Sequence, residues 1–167
     1  IEGAITDFFG QLQLASVAGW TLESAGNPDP VPELVSSDEI ATGGARADAL
    51  EGVVVQAVDL TVTAVDLAPG AGDAAPTNEF EVDGTLRVDD FLHLLEPFPV
   101  IGESFAAISG VVRFANGDSK LEPRDANDVS AGQATIASLE PAGVVLEAGV
   151  TDSTLLTVTL ARPAGGA

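Results

Sequence analysis

Gly52-Val53-Val54-Val55-Gln56-Ala57-Val58-Asp59-Leu60-Thr61-Val62-Thr63-Ala64-Val65 decides the fold class. Its second half alternates apolar residues with threonine, the period of two that marks a strand with one buried face. Its first half is a nearly continuous apolar run, which predicts a strand covered on both faces. The alternation returns near the other end in Leu156-Thr157-Val158-Thr159-Leu160. Glu79-Phe80-Glu81-Val82 alternates acid with apolar, so its acids are expected to face solvent. Gly, Pro, Asn and Asp punctuate these runs and predict long loops over 26–32 and 69–78. The chain is therefore expected to be all-β, a barrel or sandwich with additional strands at both ends.

Helix signals are confined to one place. Ser36 and Glu39 stand at capping-box spacing, and Gly43-Gly44 would end the turn that follows. A single short helix is expected there, with a continuation toward Leu50. Asp83-Gly84 separates two strand patterns and calls for a tight hairpin. A two-residue loop would pair Phe80 with Arg87 and place the arginine on the apolar face. A three-residue loop pairs Val82 with Leu86 and Phe80 with Val88. The second register is preferred, because a one-residue slip inverts every side chain.

An internal repeat links the beginning of the chain to its middle. Ile1, Gly3, Gly10 and Leu14 coincide with Ile108, Gly110, Gly117 and Leu121 at a constant offset of 107 residues. Both segments read as strand, tight glycine turn, strand. Residues 1–34 are thus expected to be the closing hairpin of one unit, followed by a nearly whole second unit over 35–130.

Ile108-Ser109-Gly110-Val111-Val112, with Lys120-Leu121-Glu122-Pro123-Arg124-Asp125 and Asp128-Val129, resembles the end of an OB-like β-barrel domain. Such domains occur in bacterial secreted modular proteins, including extracellular nucleases. Thr42–Thr63 resembles the entry of that domain and Phe80–Leu92 its central hairpin. Ile1–Leu14, with Gly26-Asn27-Pro28-Asp29-Pro30-Val31-Pro32, looks like the tail of a preceding copy. Residues 134–167, through Pro141, Gly149 and Leu156–Leu160, resemble the first strands of an immunoglobulin-like or Calx-β-like surface module. About two strands are expected there, where such a sandwich needs about seven. A neighbouring subunit is expected to complete them. The resemblance implies an adhesive, spacing or accessory role, with nuclease activity residing in a separate domain.

Composition narrows the function classes. The 167 residues carry 26 acidic and 6 basic side chains, a net charge of -20. The basic residues do not cluster, and the field repels phosphate polymers and anionic membranes. Neither nucleic-acid binding nor membrane insertion is expected. No cysteine is present, so disulfides and thiol catalysis are excluded. No methionine is present either, so Ile1 is read as the start of a processed or excised chain. The Asp-rich, Lys-poor composition fits an extracellular or cell-surface location.

The chemistry-bearing residues point away from catalysis. His93, the one histidine, lies in the apolar setting Phe91-Leu92-His93-Leu94-Leu95 and reads as structural. Asp89-Asp90 is the sharpest acid pair, but adjacent strand residues point to opposite faces unless a bulge intervenes. No enzyme is expected. No cofactor is required, and calcium is the candidate ion, since it takes hard oxygen ligands from loops. Its candidate ligands are Asp66, Asp73 and Glu79 around the long loop, and Asp125 with Asp128 further on. Self-assembly into an oligomer or filament is the expected partnership. Ile1, Ile5, Phe8 and Phe9 at one end and Leu156, Val158 and Leu160 at the other are its candidate interface. A non-catalytic structural or adhesive protein, assembling by β-strand addition, is the leading expectation. The alternative is an accessory module for polysaccharide or single-stranded nucleic acid.

Overall fold

The computed structural model describes residues 1–132, 135–140 and 157–162. Among these, strands dominate: β1 (Glu2–Phe8), β2 (Gln11–Gly19), β3 (Glu33–Val35), β4 (Val54–Val65), β5 (Phe80–Val82) and β6 (Leu86–Val88). After them come β7 (Ser104–Ala115), β8 (Asp118–Glu122), β9 (Val129–Ala131), β10 (Thr135–Glu140) and β11 (Thr157–Arg162). The one α-helix among the described residues, α1 (Ser37–Ile40), sits where the capping box placed it. The Glu39 carboxylate reaches back to accept the Ser36 N–H at 2.9 Å, which satisfies a backbone donor left open at the helix start.

A closed five-stranded barrel forms the body of the molecule, in the order β4-β5-β6-β8-β7 and back to β4. Every neighbouring pair is antiparallel except β6 and β8, which run parallel. Closure in this order is that of an OB-like barrel, and it leaves the barrel's own strands without a free edge. β3 extends the wall beside β4, and β9 extends it beside β7.

β4 serves the core in two phases. Val55 and Ala57 point inward, and then Leu60 and Val62 do, so the buried set moves from odd to even positions. Asp59 lies between the two sets with φ of 57°, a left-handed residue that shifts the phase by one and bends the strand. This corrects the expectation of a run buried on both faces: Val53 and Val58 are exposed. The bend lets β4 pair with β7 along its first part and with β5 along its last. Inside the barrel Phe80 packs against Phe105 with ring centroids 6.0 Å apart, among Val82, Leu86, Ile108, Val112 and Leu121. Ile40 and Leu50 join the same core.

The β5–β6 turn adopts the three-residue register, with Val82 opposite Leu86, Glu81 opposite Arg87 and Phe80 opposite Val88. At the N-terminus β1 and β2 form a separate antiparallel hairpin. β10 and β11 pair with each other, bringing Val158 opposite Leu139 and Leu160 opposite Ile136. Of residues 134–167, expected to hold about two strands, 141–156 with Leu156 among them lie outside the described residues.

Candidate functional site

OB-like barrels present ligands to the outer face of their second and third strands, flanked by the loop after the first strand and the loop before the last. Here those elements are β5, β6, the loop 66–79 and the turn at Asn116-Gly117. Hairpin geometry fills this face with charge. Arg87 on β6 lies in register with Lys120 on β8, and Lys120 lies opposite Arg113 on β7. Three cations therefore stand in one row across the wall, since the alternate positions Val88, Leu121 and Val112 face the core.

Carboxylates pair with all three. Glu79 accepts from Arg87 at 2.6 Å and from the Lys120 ammonium. Asp89 holds Lys120 at 3.1 Å, and Glu122 holds Arg113 at 3.3 Å. Asp118 lies 3.4 Å from Arg87. Lys120 is 2% exposed, and so pronounced a burial of an ammonium is tolerable only with such partners. Burial pulls the Lys120 pKa down, but the hydrogen bonds it donates to Glu79 and Asp89, with their charges, more than reverse this, and the net shift is upward. Arg87 follows the same balance. Burial, reinforced by the charge of Asp89, pushes the Glu122 carboxyl up to about 7, against the pull of Arg113.

The loop 66–79 closes over this wall. Ala71 N–H donates to the Asn116 carbonyl at 2.8 Å, and the Asn116 side chain returns a bond to the Ala71 carbonyl. Arg87 also donates to the Ala68 carbonyl. What remains open is a recess of about 250 Å³, walled in part by Asp89, Asp90, Arg113 and Lys120. The face thus has no unpaired cation to offer a phosphate backbone, and its aromatic Phe91 is stacked under the Arg113 guanidinium at 3.9 Å. Phe80 is not available as a stacking platform, because it is a core residue.

Several expectations about acids change here. Glu79 faces away from the core, as its alternation requires, yet it is buried beneath its cationic partners rather than in solvent. Asp89 and Asp90 share one recess, because β6 ends at Val88 and strand alternation no longer separates them. Asp89 contacts Lys120, while Asp90 accepts from the Asn78 amide at 2.9 Å.

The five candidate calcium ligands are not brought together. Glu79 is committed to its cations. Asp73 accepts from the Ala74 N–H, and Asp125 caps the short 3-10 turn at Ala126–Asp128 by accepting from the Asn127 N–H. Asp128 makes a two-point pair with Arg124 at 2.7 and 2.8 Å, and this hydrogen bonding holds its carboxyl below the usual aspartate range. Asp66, at the end of β4, adopts a left-handed backbone with φ of 52°. Among the described residues no group of three or more His, Asp or Glu side chains is arranged to hold a metal. His93 lies half-buried in the 89–103 connection.

A second surface stands out by its hydrophobicity. Ile1, Ile5, Phe8, Phe9, Leu12, Leu14 and Val17 are all exposed on the β1–β2 hairpin, and Trp20 follows. Ile5, Leu12 and Leu14 share one face of the hairpin; Gln11 and Gln13 lie on the other, partly covered, with Phe8 opposite Gln11, and Phe8, Phe9 and Gln11 border a cavity of about 570 Å³ with Arg113 and Phe114 of the barrel. Between hairpin and barrel runs a cleft of about 410 Å³, bordered by Gln11, Gln13, Glu51, Phe91, Arg113 and Glu122. Glu51 Oε1 and Glu122 Oε2 receive no protein hydrogen bond there. Sequence inspection singled out Ile1, Ile5, Phe8 and Phe9 but missed Leu12 and Leu14, whose alternation with Gln11 and Gln13 was the available signal. The side chains of Val158 and Leu160 are outside the described residues.

Comparison with known protein families, curated proteins and solved structures returns no match to this chain.

Proposed function

We propose that this protein is a non-catalytic structural or adhesive unit of an extracellular or cell-surface assembly, and that the β1–β2 hairpin is its assembly element. The exposed apolar side of that hairpin carries the proposal. Contiguous apolar surface rimmed by polar residues is characteristic of protein contacts rather than of free solvated surface. The paired charges of the barrel wall support the same reading, because the face that OB-like barrels use for ligands is already occupied by the chain's own side chains. The strongly negative surface keeps unassembled units apart except where apolar contact outweighs repulsion.

Sedimentation of the purified chain over a wide concentration range, with electron microscopy of the same samples, tests this. Concentration-dependent larger species, lost in an Ile5→Asp/Leu14→Lys variant, are expected. A monomer at every concentration, with no particles beyond monomer size, contradicts it.

A second reading, an accessory module for polysaccharide, draws on the cleft beside Phe91. One face of the Phe91 ring there is covered by the Arg113 guanidinium while the residue is otherwise exposed, and amide and carboxylate groups border it. The abundance of acids favours a neutral sugar chain over nucleic acid. Retardation in gels containing neutral polysaccharide, abolished by Phe91→Ala, would favour this second reading.

A further inference from the structure

The β1–β2 hairpin is built to the same plan as β7–β8, residue for residue. In β7–β8, Ala115 pairs with Asp118, Phe114 with Ser119, Arg113 with Lys120, Val112 with Leu121 and Val111 with Glu122. In β1–β2, Phe8 pairs with Gln11, Asp7 with Leu12, Thr6 with Gln13, Ile5 with Leu14 and Ala4 with Ala15. Each of these pairs is displaced from its counterpart by the 107 residues of the sequence repeat.

The turns agree as well. Phe9 and Gly10 have φ of 54° and 93°, and Asn116 and Gly117 have 58° and 93°. Two successive left-handed residues are the signature of the tight hairpin turn whose twist matches paired strands. A non-glycine such as Phe9 adopts that conformation only at a cost. The glycines upstream match too. A side chain at Gly110 would collide with the Glu122 carbonyl, and one at Gly3 would press on the Ala15 carbonyl, the equivalent atom.

What differs is the surroundings. Val112 and Leu121 are sealed in the barrel by β4, β5 and β6, whereas Ile5 and Leu14 are 79% and 48% exposed. The faces are nevertheless assigned alike. Thr6 and Gln13 occupy the outward row that holds Arg113 and Lys120, and Ile1, Ile5 and Leu14 occupy the inward row that holds Ile108, Val112 and Leu121. In the second pair from each turn one large apolar and one polar residue exchange strands: Phe114 faces Ser119, and Leu12 faces Asp7.

We infer that Glu2–Gly19 is the closing hairpin of a second OB-like barrel. The occupant of its apolar face is then the other three strands of that barrel, a curled antiparallel sheet with an apolar concave side like that of β4–β6. This goes beyond the proposed assembly role by naming the chemistry of the hairpin's partner, and it stands on the shared register of the two hairpins rather than on that role. It also gives the two barrels a shared boundary, since the outward row of the hairpin, Gln11 and Gln13, is the side turned to the barrel described above.

The test is a transplant within the full chain. Residues 108–122 are replaced by residues 1–15, an exchange of equal length. A second transplant keeps Ser109, Val111, Arg113, Ala115, Asp118, Lys120 and Glu122, so that the buried carboxylates retain their partners and only the inward residues and turn are exchanged. A control transplant adds Ile5→Thr and Leu14→Thr. The second transplant is expected to unfold cooperatively, with the grafted amides of Ile5 and Leu14 protected from hydrogen exchange by orders of magnitude more than in the native hairpin. The control is expected to lose both. Failure of the second transplant to fold, or equal folding of the control, overturns the inference. Self-association of the unmodified chain is measured separately, so a failed transplant beside an assembling chain removes this inference and leaves the assembly role standing. A folded transplant beside a strictly monomeric chain does the reverse.

Discussion

Ile5 faces Leu14 across the N-terminal hairpin in the same register in which Val112 faces Leu121 across the barrel hairpin, but only the second pair is buried. One structural plan thus occurs twice, once enclosed by β4–β6 and once with its apolar side exposed among the described residues. Most of what the molecule is expected to do in solution follows from that difference.

Leu121 and Leu14 are the same residue type in equivalent places, so truncating each isolates the effect of surroundings. Leu121→Ala removes a side chain that is fully enclosed, and is expected to cost about 2–5 kcal/mol of barrel stability. Leu14→Ala should change it by no more than about 0.5 kcal/mol in dilute solution. Urea titrations of both variants at low concentration check the contrast.

Lys120 is the central cation of the barrel wall. Lys120→Met leaves Glu79 and Asp89 buried with one fewer counter-charge and is expected to destabilise by about 3–5 kcal/mol. Adding Glu79→Gln to that variant should recover part of the loss, because it removes a charge that has become costly. Thermal denaturation of the two variants and the parent provides the measurement.

Glu122 makes stability depend on pH in an unusual direction. Its folded-state pKa is raised from 4.5 to about 7, so between these values the folded protein binds a proton that the unfolded chain releases. This group's contribution therefore falls as pH rises from about 4.5 to about 7, by about 3 kcal/mol in total. Asp128 acts in the opposite sense. Its pKa is depressed, so its contribution is present above 3.8 and is lost as pH falls through the acid range. Glu122→Gln keeps an acceptor for Arg113 and removes the titration. The variant should match the parent near pH 5 and exceed it near pH 8, as read by chemical denaturation at both values.

Much of this was legible in sequence, and what escaped has a physical reason. The β5–β6 register followed from Arg87 alone, since one alternative buried a guanidinium in an apolar face. The repeat followed from four coincident residues, Ile1, Gly3, Gly10 and Leu14 with their counterparts 107 residues on, two of them glycines whose backbone surroundings admit little else. The ion-paired wall escaped because it depends on β6 lying parallel to β8 and on Glu79 reaching across both, contacts separated by tens of residues. One clue was present: counting outward from Asn116-Gly117 sets Arg113 opposite Lys120, on the face away from the core. Asp89 and Asp90 were misplaced because alternation was extended one residue past the end of a strand. The valines before Asp59 were misread because a single left-handed residue, invisible to periodicity, reset the phase of the strand.

The wall also predicts the response to nucleic acid. Arg87, Lys120 and Arg113 are all held by carboxylates, and the whole chain carries a charge of -20. Single-stranded DNA should not be retained at physiological salt, by filter binding or fluorescence anisotropy. Micromolar retention with a steep salt dependence would show that the pairs open to a ligand.

Hydrogen exchange of the Glu2–Gly19 amides as a function of protein concentration tests the assembly role most directly. The account predicts fast exchange in dilute solution, where an isolated hairpin is only marginally stable, and rising protection as the chain is concentrated, while β7 and β8 stay equally protected throughout. Hairpin exchange that is independent of concentration would contradict it.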